Sequence, residues 1–413
     1  MSSARSAGLV SKRSQACYIS AMQNPKQPKT TVFLITAGCF LAFFAFGFTD
    51  NLKGPTLPAM LAELRFDYGT GGNILLGEYF GFLLATLLTG ILADRFGLKS
   101  VILLAGFFLG IGAAGYSLFN SVPLLWGSLF IIGMGLGALE LGPNAVIVSL
   151  YHERKGLYLN LMSVMHGLGS LAAPLFVGWL FRLNASWRAA YRWDLALTAL
   201  FVVVFLFLRF PKTSESSKID FRRVPQIAFK GNLPWFYAAL CFYVAAEIGI
   251  ASWLVTFAQD VHGFETTASN RALSLFFAML MVGRLAGSFF VQRAGYLRSI
   301  LIMSFGGTLC LILGLFGPKQ AFLLLPLTGL FLSIIFPTVT AAVSDTLAEN
   351  RNTVLGILFT FAGLGGLAGP WLIGLGGDLF GLQTGFAFNA VFMLGLSASI
   401  VILQKKGADG QTA

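Results

Sequence analysis

The chain has 413 residues, 56% of them hydrophobic and only 11% charged, with a formal net charge of +11 and a mean hydropathy of +0.78. Soluble domains carry about 25% charged residues, so this composition excludes a soluble all-helical domain and describes a polytopic membrane protein. The basic residues lie in short loops between apolar segments rather than on a basic domain, so the charge reports membrane topology and no nucleic-acid partner is expected.

Residues 1–30 are polar, contain Arg5, Lys12, Arg13, Lys26 and Lys29, and have no acidic residue. They lack the short apolar core and small-residue cleavage site of a secretory signal and read as a cytoplasmic tail. A transit peptide and a start at Met22 are the alternatives. Crossing about 30 Å of hydrocarbon at 1.5 Å per residue takes about 20 apolar residues. Twelve segments meet that length, at about 31–61, 72–94, 98–119, 123–150, 156–183, 189–210, 233–259, 269–292, 297–317, 320–347, 352–379 and 384–404. With both termini inside, the cytoplasmic tails and loops collect most of the 28 Lys and Arg, which sets that orientation by the positive-inside rule.

In the first span, FGFTDNLKGPTLP places Gly47, Gly54, Pro55 and Pro58 around Asp50. Such residues unwind a helix and free backbone groups that protein or water must satisfy, so Asp50 is expected at a cavity or as a cap near the outer surface. After the second span, GILADRFGLKS runs from Gly90 to Ser100. Gly90 permits close helix contact, Gly97 a tight turn, and Asp94 with Arg95 suits pairing with charges or helix ends of a neighbouring span. Arg95 and Lys99 also serve the positive-inside rule on their own. The matching loop in the second half, VQRAGYLRS, has the uncharged Gln292 at the acidic position.

An ionisable group at mid-bilayer costs about 2.5–3.5 kcal/mol on insertion scales and is by default a functional candidate facing the bundle interior. Glu78, Glu140, His166, Glu247 and Arg284 are internal by position, with Asn144, Asn160, Ser163, Ser170 and Asn389 adding hydrogen-bonding capacity. In span four, GLGALELGPN spaces Glu140 and Asn144 four residues apart on one helix face, offering carboxylate acceptors beside an amide, a pattern that suits hydroxyl-rich ligands. In span five, Ser163 and Ser170 flank His166 at helical spacing, and a structural histidine is the alternative reading. In span seven, Glu247 precedes Trp253 and either contributes to the site or pairs with Arg284. Trp253, Phe43 and Phe46 are stacking candidates for a sugar ring, against ordinary packing. Cys17, Cys39, Cys241 and Cys310 have no metal-type or framework spacing, so neither metal nor cofactor is expected.

The polar, basic segment 211–232, PKTSESSKIDFRRVPQIAFKGN, divides the spans into a bundle at 31–210 and a second at 233–404, with a tail at 405–413. The halves resemble each other: HGLGSLAAPLFVG from His166 matches AGLGGLAGPWLIG from Ala362, an offset of 196 that pairs Gly169 with Gly365 and Pro174 with Pro370. Similar shifts bring Pro143 onto Pro337, Gly97 onto Gly295 and Asp50 onto Glu247, while Glu140 falls opposite Ile334. A parallel repeat of six spans is the mark of transporters that rock around a midplane site. The expected fold is therefore all-α: twelve transmembrane helices in two six-helix halves.

Gly90, Leu92, Ala93, Asp94, Arg95, Gly97 and Lys99 resemble the loop motif of the major facilitator superfamily. At spans four and five the sequence is similar to the fucose–proton symporter branch, whose pattern is met by Gly135, Gly137, Glu140, Asn144, Leu159, Asn160, Leu161, Ser163 and His166. The resemblance implies sugar binding and coupling at Glu140. Counted back from Leu57-Pro58, the branch's proton-binding Asp position is held by Gly54, with Asp50 one turn earlier.

The function expected is secondary active symport of a small polar solute, a monosaccharide above all, by alternating access. Substrate contacts are assigned to Glu140, Asn144, Asn160, Ser163, His166 and Trp253, coupling to Asp50, Glu140 and Glu247, and gating to Gly90, Asp94, Arg95, Gly97 and Lys99. Proton or sodium is the ion, and a monomer in an inner or plasma membrane is expected. Proton-coupled export of amphipathic compounds is the alternative within transport; a receptor or lipid-moving protein is the alternative outside it. No phosphate-cradling loop or metal cluster argues for an enzyme.

Overall fold

The computed structural model describes residues 29–151, 154–208, 210, 229–345 and 351–409. The expected N-terminal tail up to residue 28, His152, residues 211–228 of the linker and residues 410–413 lie outside the described residues. Helix is the only regular structure among the described residues. That follows from the solvent: lipid cannot pair with backbone N–H and C=O groups, and a helix satisfies them within one segment.

Span one consists of two helices, Lys29–Asp50 and Lys53–Leu64. Spans two to six are Tyr68–Phe96, Leu98–Leu118, Val122–Leu150, Lys155–Arg182 and Trp187–Phe207. Spans seven to nine are Leu233–Asp260, Thr266–Ala294 and Tyr296–Phe316. Span ten is a 3₁₀ turn, Lys319–Leu323, followed by Leu324–Leu332 and Ile335–Asp345; spans eleven and twelve are Arg351–Phe380 and Leu382–Asp409. The last helix runs to Asp409, through the first residues of the expected tail.

Among the described residues, eleven of these rods are long and apolar enough to cross a membrane by length and composition; span eight is the exception. Its sequence holds Arg271, Arg284 and Arg293, and its Ser269, Asn270 and Ser274 are buried. The physical reason is its neighbour. Ser274 donates to the Leu171 carbonyl of span five at 3.1 Å, and Asn270 lies against Gly178, so this helix turns a polar face to protein rather than to lipid.

The two halves repeat each other in detail. Spans two and eight are both 29 residues long, and spans three and nine both 21. The turn between each pair is made by one glycine in the left-handed region, Gly97 at φ 83° and Gly295 at φ 80°, where a Cβ would be strained. In span five, Gly169 presses on the Phe44 carbonyl of span one; in span eleven, Gly365 presses on the Cys241 carbonyl of span seven. A side chain at either position would meet backbone, so the small residue is what lets each pair of helices close.

The break in span one positions the site. The Asn51 and Leu52 N–H groups turn to the Phe48 and Thr49 carbonyls, both at 3.3 Å, and the Asn51 side-chain amide donates to the Gly47 carbonyl at 2.9 Å. The freed backbone is thus met locally, as an apolar interior requires. Past the break, Gly54 seats the second helix against the Ala251 carbonyl of span seven, joining the halves there.

The halves are zipped at the face opposite the termini. Asp378 of span eleven accepts from the Tyr68 and Gly69 N–H groups of span two at 2.8 and 2.6 Å. The Tyr68 hydroxyl donates to Asp260 of span seven at 2.9 Å, and the Trp371 indole donates to Asn73 at 2.8 Å. Next to this latch, hydrogen bonds from Thr70 hold the Asp67 carboxyl below the usual carboxylate range. These contacts close the face opposite the termini.

Candidate solute and ion site

The broken span one delivers three ionisable groups to one buried spot. Lys53 Nζ donates to Asp50 Oδ1 at 2.6 Å and also to Glu78 Oε1 of span two. The Lys53 side chain is 5% exposed and that of Glu78 3%. The ammonium also lies 5.2 Å from the centre of the Tyr79 ring. Asn51, in the break itself, donates to Ser170 Oγ of span five at 3.0 Å. Immediately before it, Thr49 donates to Asp194 Oδ1 of span six at 2.7 Å.

A second pair comes from the other half. Arg284 of span eight approaches Glu247 of span seven at 3.8 Å, with 36% and 15% of the side chains exposed. Of the two expectations for Glu247, a site role and this pairing, the pairing is formed here.

Between these pairs lie the half-buried Glu140 of span four and His166 of span five. Asp50 and Arg284 both stand close enough to act electrostatically on each of them, and Asp50 acts likewise on Glu247. Ionisable groups from spans one, four, five, seven and eight therefore share one interior space. Among the described residues Glu140 forms no ion pair, whereas Asp50, Glu78 and Glu247 each have one. The His166 ring packs edge-on to Phe46 at 4.7 Å, and Phe46 edge-on to Phe43 at 5.9 Å. Helix position puts Glu140 and Arg284 towards the termini face and Glu78 towards the latched one.

Other expected residues stand apart from this group. The Asn144 side chain turns back on its own helix and donates to the Glu140 carbonyl at 2.6 Å, a local bond to the carbonyl four residues back. Asn160 and Ser163 are exposed, one to two turns from the start of span five, and Ser163 donates to the Leu159 carbonyl at 3.1 Å. Trp253 has no exposed surface; its indole donates to the Pro370 carbonyl at 2.9 Å and its ring meets Tyr68 edge-on. It belongs to the closed end rather than to an open cavity in this conformation.

Of the gating residues, Gly97 makes the turn and Lys99 donates to the Leu206 and Leu208 carbonyls at the end of span six, both at 2.8 Å. Asp94 and Arg95 are exposed and form no ion pair among the described residues; Gly90 touches no neighbouring helix. Lys53 is the residue that sequence reasoning missed. Its signal was present, a cation three residues after Asp50 in an apolar span, but the partner that buries it comes from span two.

The family model of the Major Facilitator Superfamily matches residues 39–328, more than half of the chain. The L-fucose-proton symporter of Escherichia coli is 24% identical over 335 residues, covering 72% of this chain and 76% of that protein. A putative glucose/galactose transporter of Helicobacter pylori is 23% identical over 281 residues, covering 63% and 68%. Among solved structures, a variant of the nucleoside transporter NupG superposes with a TM-score of 0.78 at 15% identity, over 90% of this chain and 99% of that one. The matching model, the repeat-related halves and the helical fold agree: the chain belongs to the Major Facilitator Superfamily.

Proposed function

We propose that this protein is an ion-coupled symporter of a monosaccharide, working by alternating access between the latched face and the termini face, with both termini cytoplasmic and the proton as coupling ion. The observation that carries the reading is Glu140: a half-buried carboxylate without an ion-pair partner among the described residues, set between Asp50 and Arg284 in a space lined by both halves. An unmatched carboxylate in a low-dielectric interior takes up a proton readily, and it accepts hydrogen bonds from sugar hydroxyls. The names of two relatives, a fucose-proton symporter and a putative glucose/galactose transporter, support the solute class.

In this reading solute enters from the termini face and meets Glu140 first, His166 and Phe46 next to it, and the Asp50 group at the closed end. The test is counterflow of labelled monosaccharides in proteoliposomes, run beside labelled amphipathic cations. Exchange of at least one sugar and none of the cations is expected; exchange of cations alone would move the assignment to export of amphipathic compounds.

A further inference from the structure

The Asp50–Lys53–Glu78 group is used by nothing in the reading so far except through Asp50. A buried ion pair is neutral; this group is not. Two carboxylates share one ammonium, so with all three ionised it carries one excess negative charge in a place where an unmatched charge is expensive. A purely structural bridge would not need the third member.

Its placement also matters. Asp50 ends the first helix of span one and Lys53 begins the second, so their bond straddles the break at Asn51-Leu52. Glu78 lies on span two, ten residues and so about 15 Å along the helix from Tyr68, whose N–H is held by Asp378 of the other half. One ammonium therefore ties the hinge of span one to the helix that carries the latch.

We propose that Asp50, Lys53 and Glu78 form a single coupling site of one charge, in which Lys53 is a tethered counter-ion and Glu78 a proton-binding carboxylate on equal footing with Asp50. The inference rests on the proton-coupled reading above. One proton from water on one face converts a carboxylate of the group to a carboxylic acid and makes the group neutral. Lys53 then keeps one ionised partner and releases its hold on the other, and the charge of the group goes from minus one to zero. Return of the proton to water on the other face restores both bonds. The ionisable side chains that face the group are His166, Glu140 and Glu247 around Asp50 and Tyr79, Tyr116 and Tyr191 around Glu78. None of them supplies a second permanent cation.

The charge count makes a specific demand. Glu78→Gln leaves a neutral Asp50–Lys53 pair and should reduce pH-gradient-driven accumulation in proteoliposomes at least tenfold. The double variant Lys53→Gln/Glu78→Gln restores one unmatched carboxylate and should recover accumulation to within about threefold of the unmodified protein. Accumulation by Glu78→Gln at the unmodified level, or failure of the double variant to recover it, overturns the proposal. The transport reading fails separately, if the unmodified protein does not accumulate solute. In that case carboxylic-acid bands in infrared spectra, taken on acidifying the purified protein, still decide: the unmodified protein and the double variant should each gain one band more than Glu78→Gln. Equal gains in all three overturn the proposal.

Discussion

The Asp378 carboxylate accepts from two successive backbone N–H groups, Tyr68 at 2.8 Å and Gly69 at 2.6 Å, so span eleven of one half caps the N-terminus of span two of the other. An anion at a helix N-terminus is worth about 0.3–1 kcal/mol, and here that interaction exists only while the face opposite the termini is shut.

Asp378→Ala should therefore raise the open-to-closed ratio on that face by about 2–5-fold, the same energy expressed as a population. A cysteine placed at Asn73 reports it, in matched proteins with the native cysteines replaced. Labelling by a membrane-impermeant maleimide from that face should speed up by this factor; unchanged labelling would mean that the aromatic packing of Tyr68 and Trp253 closes the gate by itself.

Lys53→Met should lower the melting temperature in detergent far more than Arg284→Met. Removing one partner of a buried pair costs about 3–5 kcal/mol because the other charge stays buried, and Lys53 leaves two such carboxylates. Arg284 is 36% exposed and 3.8 Å from its partner, closer to the surface regime in which pairs contribute less than about 1 kcal/mol. Equal drops would contradict the burial argument.

Gly169→Ala and Gly365→Ala should each destabilise the protein, since each added Cβ meets a carbonyl of the facing helix. Gly90→Ala should leave the melting temperature within a degree or so, because no atom lies within 4 Å of its Cβ site. Thermal unfolding of the three variants side by side checks this; a loss at Gly90 equal to that at Gly169 would contradict it.

Most of the fold was legible because lipid imposes one structure and one length on a span. The matched glycines and prolines carried the repeat, since close helix contact and the turn at Gly97 need residues that survive as letters in the sequence. Span eight was legible only as another apolar segment: its polar residues face span five, and nothing local says which helix will be its neighbour. The site was legible in part. Asp50, Glu140, His166, Glu247 and Arg284 stood out as charges in oil, and they do share one space. Lys53 did not, because its burial depends on Glu78, 25 residues away. Asn144 and Trp253 show the opposite case, in which a side chain suited to a ligand donates here to a backbone carbonyl, at Glu140 and Pro370. Asp94 and Arg95, expected to pair across the termini face, are exposed and form no ion pair among the described residues.

The measurement that bears most directly on the account is solute accumulation driven by a pH gradient in proteoliposomes, compared between the unmodified protein and Glu140→Gln. The unmodified protein should concentrate a monosaccharide and lose the gradient-driven part when a protonophore is added, and Glu140→Gln should lose at least tenfold of that accumulation. Undiminished, protonophore-sensitive accumulation by Glu140→Gln would contradict the placing of solute and proton at this carboxylate.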